Sequence, residues 1–296
     1  MKLFGRSDRF IQSPMPGAPV IKIGFSDFWP GFDEGDNYLT EMLLRHYSLQ
    51  ITSKPDYLIF SNFGTKHKRF RCIKIFYTGE NVRPNFDECD FAFTFDHMDD
   101  PRHYRLPLYA WWDDAEKFLK PEHIDTDLLL KSKTKFCNFI YGNAVAQRRV
   151  DFMHALSRYK PVDCAGTLMN NIGRTVSVFE KVEFLKDYKF TIAFENTEQP
   201  GYTTEKLVQP MLAQSIAIYW GNPLVHLDFS TKSFVNMYEF SSDAEAIERI
   251  IELDQDDDKY KAMLAQPFYG DNRVNQYVSP ENILSRFRQI FGAART

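Results

Sequence analysis

Short apolar runs alternate with polar stretches of helical spacing through the first half of this chain. Val20-Ile21-Lys22-Ile23-Gly24-Phe25, Tyr57–Phe60, Ile73–Tyr77 and Phe91–Phe95 are dense in β-branched and aromatic residues and read as strands. Between the first two, Asn37–Tyr47 sets Tyr38, Leu39, Met42, Leu43 and Leu44 at the spacing of one helix face. Strand, helix, strand in that order is a βαβ unit and predicts a mostly parallel sheet. From Trp111 to Leu130 the pattern turns charged and irregular, and a second series then opens. It predicts strand Phe136–Tyr141, helix Ala144–Tyr159, strand Lys189–Phe194, helix Thr203–Ala213, strands Ile216–Tyr219 and Phe234–Met237, helix Asp243–Leu253 and a last helix near Pro280–Phe291. Two α/β halves joined by one linker predict two domains facing a cleft, where small ligands bind.

Composition narrows the class. A chain of 296 residues suits two domains, and 44% hydrophobic with 26% charged residues is the balance of a folded protein. The 27 Phe and 15 Tyr give it an aromatic excess, from which some rings are expected to face sugars or bases. A net charge of -4 gives no general basis for binding nucleic acid, whose partners carry excess Lys and Arg. One basic run, Lys66, His67, Lys68, Arg69 and Arg71, reads as a solvated turn before a strand in preference to a peripheral contact with an anionic membrane surface. Cys72, Cys89, Cys137 and Cys164 lack CxxC spacing and suggest neither zinc nor a disulfide framework, so a reducing cytoplasm is expected. No run approaches a membrane span, and the polar stretch Met1–Pro14 lacks the apolar core of a signal peptide.

The most informative segment is Phe190–Leu207. A buried strand ends at Phe194, a polar loop containing Pro200-Gly201 follows, and a Thr-capped helix begins near Thr203. Strand carboxyl ends and a helix N-terminus converge there, so free N–H groups and the helix dipole favour a diphosphate. Lys206 adds a point charge, Glu195 and Glu205 can accept from ribose or sugar hydroxyls, and Asn196 can donate and accept. Thr203-Thr204-Glu205 is also ordinary capping chemistry, whereas Lys206 opposes the dipole and so calls for an anion. Pro210 should kink or shorten this helix. Ile216–Pro223 reads as a strand ending in a turn, with Trp220 assigned to the core before a ligand contact. Asp125-Thr126-Asp127 and Asp254-Gln255-Asp256 match a metal-binding Asp-x-Asp pattern, but neither follows a predicted strand, and both read as surface charge.

Phe194-Glu195-Asn196, then Gly201-Tyr202-Thr203-Thr204-Glu205-Lys206, then Ile218-Tyr219-Trp220-Gly221 resembles the signature of the α1,3/1,4-fucosyltransferases, glycosyltransferase family ten. Phe76-Tyr77-Thr78-Gly79-Glu80-Asn81 with Pro84-Asn85-Phe86 is similar to the family segment that bears its proposed base, and Phe139–Leu156 is a third match. The matches span about residues 70 to 240 in the family's order. The resemblance implies two Rossmann-like domains of the GT-B type: residues 1–132 for the acceptor, with the C-terminal helix 276–296 packing back on them, and 133–275 for GDP-fucose. It further implies an inverting transfer of L-fucose, most simply to O3 of N-acetylglucosamine in an N-acetyllactosamine-type oligosaccharide, with α1,3 and α1,4 linkage both open.

In that scheme Glu80 is the general base and Glu205 balances charge on the fucose ring. Arg149 and Lys206 stabilise the diphosphate, and Asn196, Tyr202, Glu195 and Arg174 contact the donor, with no metal required. Ala217, Asp163-Cys164-Ala165-Gly166 and Arg174 depart from the family pattern on the nucleotide side. Without heptad repeats, basic tail or membrane anchor, the chain resembles a short bacterial member. A glycoside hydrolase using Glu80 and Glu205 leaves Arg149 and Lys206 without purpose. A non-catalytic sugar-nucleotide or glycan binder on the same scaffold is the reading from another class.

Overall fold

A computed structural model describes residues 8–143 and 146–293. The first seven residues of the polar N-terminal stretch, the first two of the helix expected over Ala144–Tyr159, and the last three of 276–296 lie outside the described residues. The chain divides into two units, one comprising the residues through Trp111 with the segment from Gln276 onward, the other Trp112–Asn275.

The first unit contains β1 (Arg9–Ile11), β2 (Val20–Ser26), α1 (Tyr38–Leu44), β3 (Ser48–Ile51), β4 (Tyr57–Phe60), β5 (Ile73–Tyr77), β6 (Phe91–Thr94) and β7 (His103–Arg105). The second contains α2 (Thr126–Ser132), β8 (Lys135–Phe139), α3 (Gln147–Leu156), β9 (Val162–Cys164), α4 (Lys181–Leu185), β10 (Tyr188–Phe194), α5 (Glu205–Leu212), β11 (Ile216–Trp220), β12 (Val235–Asn236), α6 (Asp243–Gln255) and α7 (Asp257–Leu264). The last helix, α8 (Pro280–Ala293), belongs to the first unit.

The first unit is built on a seven-stranded sheet of order β1-β3-β2-β4-β5-β6-β7, parallel except for the β1–β3 pair. Ile23, Leu58, Ile59 and Ile75 are wholly buried, as strands covered on both faces must be. The helix α8 seals one face: Phe287 stacks on Phe93 at 4.7 Å, Phe291 meets Tyr57 edge-on at 4.6 Å, and the Tyr57 hydroxyl donates to the Phe291 carbonyl at 3.0 Å. The second unit has a wholly parallel five-stranded sheet, β12-β11-β10-β8-β9. Its core gathers Phe139, Phe152, Phe190, Phe194, Ile218, Ile250 and Tyr260.

Several expectations need correction. The segment 112–132, included in the expected first domain 1–132, lies in the second unit, where α2 packs on α7 and Asp127 pairs with Lys261 at 3.0 Å. The basic run is not a solvated turn throughout. His67 is buried, its Nδ1 2.8 Å from Asp27 and its Nε2 3.1 Å from Glu88. Asp254 is not surface charge either: it is buried, accepts from the Tyr159 hydroxyl at 2.9 Å, and pairs with Lys160 and with Lys189. Asp125 and Asp256 are N-caps, of α2 and α7. Strand Phe234–Met237 shrinks to two residues, and α5 runs through Pro210 but ends two residues later, at Leu212. All four cysteines are free thiols, and among the described residues no helix is long and apolar enough to cross a membrane.

Candidate functional site

In the second unit the chemistry collects where β10 and β11 end. These strands run in register from Phe190 beside Ile216 to Phe194 beside Trp220, and the ladder continues one step as the Glu195 N–H donates to the Trp220 carbonyl at 2.8 Å. The loop that follows is tied to the next strand's turn by Asn222, which is wholly buried. Its Oδ1 accepts from the Gly201 N–H at 2.7 Å, and its Nδ2 donates to Thr203 Oγ1 at 2.9 Å. Thr204 caps α5, its hydroxyl accepting from the Lys206 N–H.

Glu195 has no exposed surface, and both of its oxygens are engaged. Oε1 accepts from the Thr204 N–H at 2.8 Å, while Oε2 accepts from the Thr204 hydroxyl at 2.7 Å and lies 3.3 Å from Lys206 Nζ. Its carboxylate therefore holds the first turn of α5 in place, and it presents no exposed oxygen. Gly221 makes this packing possible, because a Cβ there, at φ +145°, would stand 2.3 Å from the Glu195 Cβ.

Lys206 Nζ also donates to Glu205 at 3.1 Å and to the Thr204 hydroxyl at 3.2 Å. Burial works against its charge, yet Glu195 and Glu205 hold the ammonium pKa above the usual lysine value. The same logic applies to Glu205: burial raises its carboxyl, but Lys206 and Lys181 bring it below the ordinary glutamate value. Lys181 was not identified from the sequence, since it opens a short helix with no motif around it. It is half-buried, and burial, against the pull of Glu205 and with Lys206 adding repulsion, brings it down to about 8.

Arg149 reaches the same edge from α3. It is almost wholly buried, with its guanidinium carbon 4.3 Å from the centre of the Tyr141 ring. One Nη donates to Asn196 Oδ1 at 2.8 Å and to the Glu195 carbonyl at 3.3 Å. Its Nε is buried without a hydrogen-bond partner. Tyr141, also missed in the sequence, is itself locked: its hydroxyl accepts from the Phe194 N–H at 2.7 Å and donates to the Ile192 or Phe194 carbonyl. Tyr202 is buried in the same loop, its carbonyl 3.4 Å from the Tyr219 hydroxyl.

Arg149, Glu195, Asn196, Tyr202, Glu205 and Lys206 thus converge on one edge of this unit. Arg174 does not join them. It lines a separate groove with Lys135, Glu180, Phe184 and Asp187, at the amino ends of β8 and β10, its guanidinium 5.4 Å from the Phe184 ring centre. Trp220 is half-buried, against Phe194 and beneath the Arg148 guanidinium at 5.2 Å, so it is neither pure core nor free. Arg149, Lys181 and Lys206 face the two carboxylates Glu195 and Glu205, which leaves one excess positive charge, and with the start of α5 they form a cationic edge suited to a diphosphate.

Glu80 lies in the first unit, directly after β5. It is exposed, and its N–H donates to the Thr78 hydroxyl at 3.0 Å. Gly79 lets Leu108 pack against this turn, since a Cβ there would meet the leucine Cδ1 at 2.4 Å and displace it. The carboxyl group is therefore carried at a strand's carboxyl end by a short, pinned loop.

The sequence matches two family models: the alpha-(1,3)-fucosyltransferase FucT N-terminal domain over residues 23–112, and glycosyltransferase family 10 (fucosyltransferase) C-term over residues 130–265. It is 31% identical to alpha-(1,3)-fucosyltransferase FucT of Helicobacter pylori across 92% of the chain and 66% of that relative. It spans between 21% and 41% of the length of seven further curated relatives. A crystal structure of alpha1,3-fucosyltransferase with GDP superposes with a TM-score of 0.78 at 30% identity, covering 93% of this chain and 91% of that one. The corresponding structure with GDP-fucose gives 0.77 at 29% identity, covering 95% and 93%.

Proposed function

This chain belongs to glycosyltransferase family 10, the fucosyltransferases, with the GT-B type of fold, and from that premise we propose that it transfers L-fucose from GDP-β-L-fucose to O3 of N-acetylglucosamine in an N-acetyllactosamine-type acceptor, giving Lewis x-type glycans. The observation that carries this reading is the cationic edge of the second unit, where Arg149 and Lys206 converge beside the capped start of α5.

An α-linked product from a β-linked donor requires a single displacement with inversion. The acceptor oxygen attacks the anomeric carbon, the bond to the diphosphate breaks, and the hydroxyl proton passes to a base. Glu80 is that base; its exposed carboxylate on a short loop suits proton transfer at the acceptor, a contribution of about 10²- to 10⁴-fold. Negative charge grows on the departing GDP, where Arg149 can offer its free Nε–H and Lys206 its ammonium. Such preorganised donors need no reorganisation as the bond breaks. Glu205, held ionised by Lys206 and Lys181, balances the positive charge on the fucose ring. Asn196 and Tyr202 complete the donor contacts, while Glu195 acts through Lys206 and Thr204 as a positioning residue.

The test mixes purified protein with GDP-fucose and N-acetyllactosamine and follows GDP release and product mass, with Glu80→Gln as control. Acceptor-dependent release with a fucose-sized gain in mass, falling by about 10²-fold or more in the control while GDP still binds, is the expected result. Tight GDP binding without transfer to any acceptor would replace this reading with a binding role or another sugar nucleotide.

A further inference from the structure

In the first unit a cavity of about 380 Å³ opens at the carboxyl ends of β2 and β4. The strand order reverses here, because the chain lays β3 on one side of β2 and β4 on the other. Parallel sheets bind ligands at such switch points, and the volume falls in the small-ligand range. The wall combines aromatic rings with the charged side chains of Asp27, Glu34 and Lys66. Phe28, Trp29 and Phe32 are half-buried, Phe63 is 46% exposed, and the rim carries the hydroxyls of Ser26 and Thr65. Phe28 and Phe32 stack at 3.9 Å, Trp29 meets Phe32 edge-on at 5.2 Å, and Phe63 meets Trp29 at 6.3 Å. Flat apolar faces beside hydroxyl groups match a pyranose, which has C–H faces and a rim of hydroxyls.

The wall is rigidly built. Asp27 sits at φ +59°, an uncommon conformation for a residue with a side chain, and such strain concentrates at ligand clamps. Its carboxylate accepts from the N–H groups of Lys66 at 2.9 Å and His67 at 2.8 Å, fixing the opposite lip. Gly64 is required there because a Cβ would lie 2.4 Å from Asp27 Oδ1.

A hydrogen-bonded series joins this lip to the base loop. The Phe63 N–H donates to the Asp27 carbonyl at 2.9 Å, the Thr78 hydroxyl donates to Asn62 Oδ1 at 2.7 Å, and the Glu80 N–H donates to the Thr78 hydroxyl. β2, β4 and β5 are neighbours, so at ~4.8 Å per strand the pocket floor and the base loop are roughly 10 Å apart. An oligosaccharide anchored at Glu80 spans that distance.

We propose that this pocket seats a pyranose ring of the acceptor other than the one that receives fucose, stacked on Trp29 and Phe32. The proposal rests on the transferase reading above and names the subsite by which that transferase selects extended acceptors.

The experiment compares initial rates on N-acetylglucosamine, N-acetyllactosamine and a tetrasaccharide extended from it, for wild type, Trp29→Ala, Trp29→Phe and Phe63→Ala. Phe63 is exposed, so its truncation spares the fold. Trp29→Ala is expected to raise the acceptor KM about tenfold on the best extended acceptor and less than twofold on the monosaccharide, with the GDP-fucose KM unchanged. Trp29→Phe should recover most of the loss, and Phe63→Ala should fall between them. Equal losses on all acceptors, or a raised GDP-fucose KM, would overturn the subsite while leaving the transferase reading intact. A wild type that hydrolyses GDP-fucose yet transfers to none of the three would overturn both.

Discussion

Replacing Glu195 by glutamine tests whether this buried carboxylate, which touches no ligand in our scheme, controls the chemistry through Lys206. The amide keeps one oxygen for the Thr204 N–H, and the Thr204 hydroxyl can rotate to accept from the new NH₂ group. Lys206 cannot adapt in this way, because an ammonium only donates, so its contact with Oε2 at 3.3 Å becomes donor against donor. A charge-assisted hydrogen bond is worth about 1.5–3 kcal/mol. Because Glu205 still neutralises the ammonium from 3.1 Å, we expect a cost near the lower end, about 2 kcal/mol. For a unit of this size that lowers Tm by about 4–8 °C. The released ammonium no longer points at the leaving group, and if the same free energy is lost from the transition state, kcat/KM falls by roughly 30-fold. Thermal melting followed by circular dichroism and initial-rate kinetics give both numbers. A Tm within about 1 °C of wild type together with kcat/KM within about twofold would refute the positioning role.

Arg149→Lys removes the planar fork while keeping the charge, and GDP affinity by calorimetry should drop by about tenfold or more, since lysine cannot reproduce a bidentate grip. Lys181, brought down to about 8, should give donor binding a pH dependence. Below pH 8 it is charged and attracts the diphosphate, GDP affinity falls as pH rises past 8, and Lys181→Gln flattens the profile. Because its folded value lies below the ordinary lysine value of 10.5, the folded state binds fewer protons between pH 8 and 10.5. Its cost to stability is therefore full below pH 8 and is relieved across that window. Gly221→Ala forces a Cβ against Glu195 and asks alanine to adopt φ +145°. We expect a loss of about 3 kcal/mol or more, read as a fall in Tm or as insoluble expression.

Much of the fold could be read from the order of residues. The strands β2, β4, β5, β6, β8, β10 and β11 are mostly apolar runs, interrupted by single residues such as Lys22, Lys74 and Lys189, because strands covered on both faces show little polar alternation. β12 falls within the expected strand Phe234–Met237, whereas β3 escapes the pattern because Ser48 and Gln50 break its apolar run. β1, β7 and β9 are three residues long and lie at sheet edges. They carry too few positions to show a period, and pairing with a neighbour alone makes them strands. The candidate site divides along the same line. Arg149, Asn196, Tyr202, Glu205 and Lys206 could be singled out because four of the five lie within the one stretch 196–206, and the structure brings all five together. Tyr141 and Lys181 were not, since nothing local marks a tyrosine under a guanidinium or a lysine at the start of a five-residue helix. Arg174 and Asp254 were misread for the same reason: an isolated charge has no sequence signal for the groove it lines or the lysines that bury it.

The parallel α/β class, the caps and turns, and the presence of residue types able to hold a diphosphate and move a proton all follow from the order of residues. These are properties of near neighbours along the chain, governed by backbone sterics and hydrophobic period. Long-range packing settles that Glu195 is bonded to Thr204 and Lys206, that His67 and Asp254 are buried, and that aromatic residues from separate loops line one pocket. Burial and partnership depend on contacts between residues far apart in sequence, and the cost of a buried charge or the worth of a ring face exists only once those contacts are made.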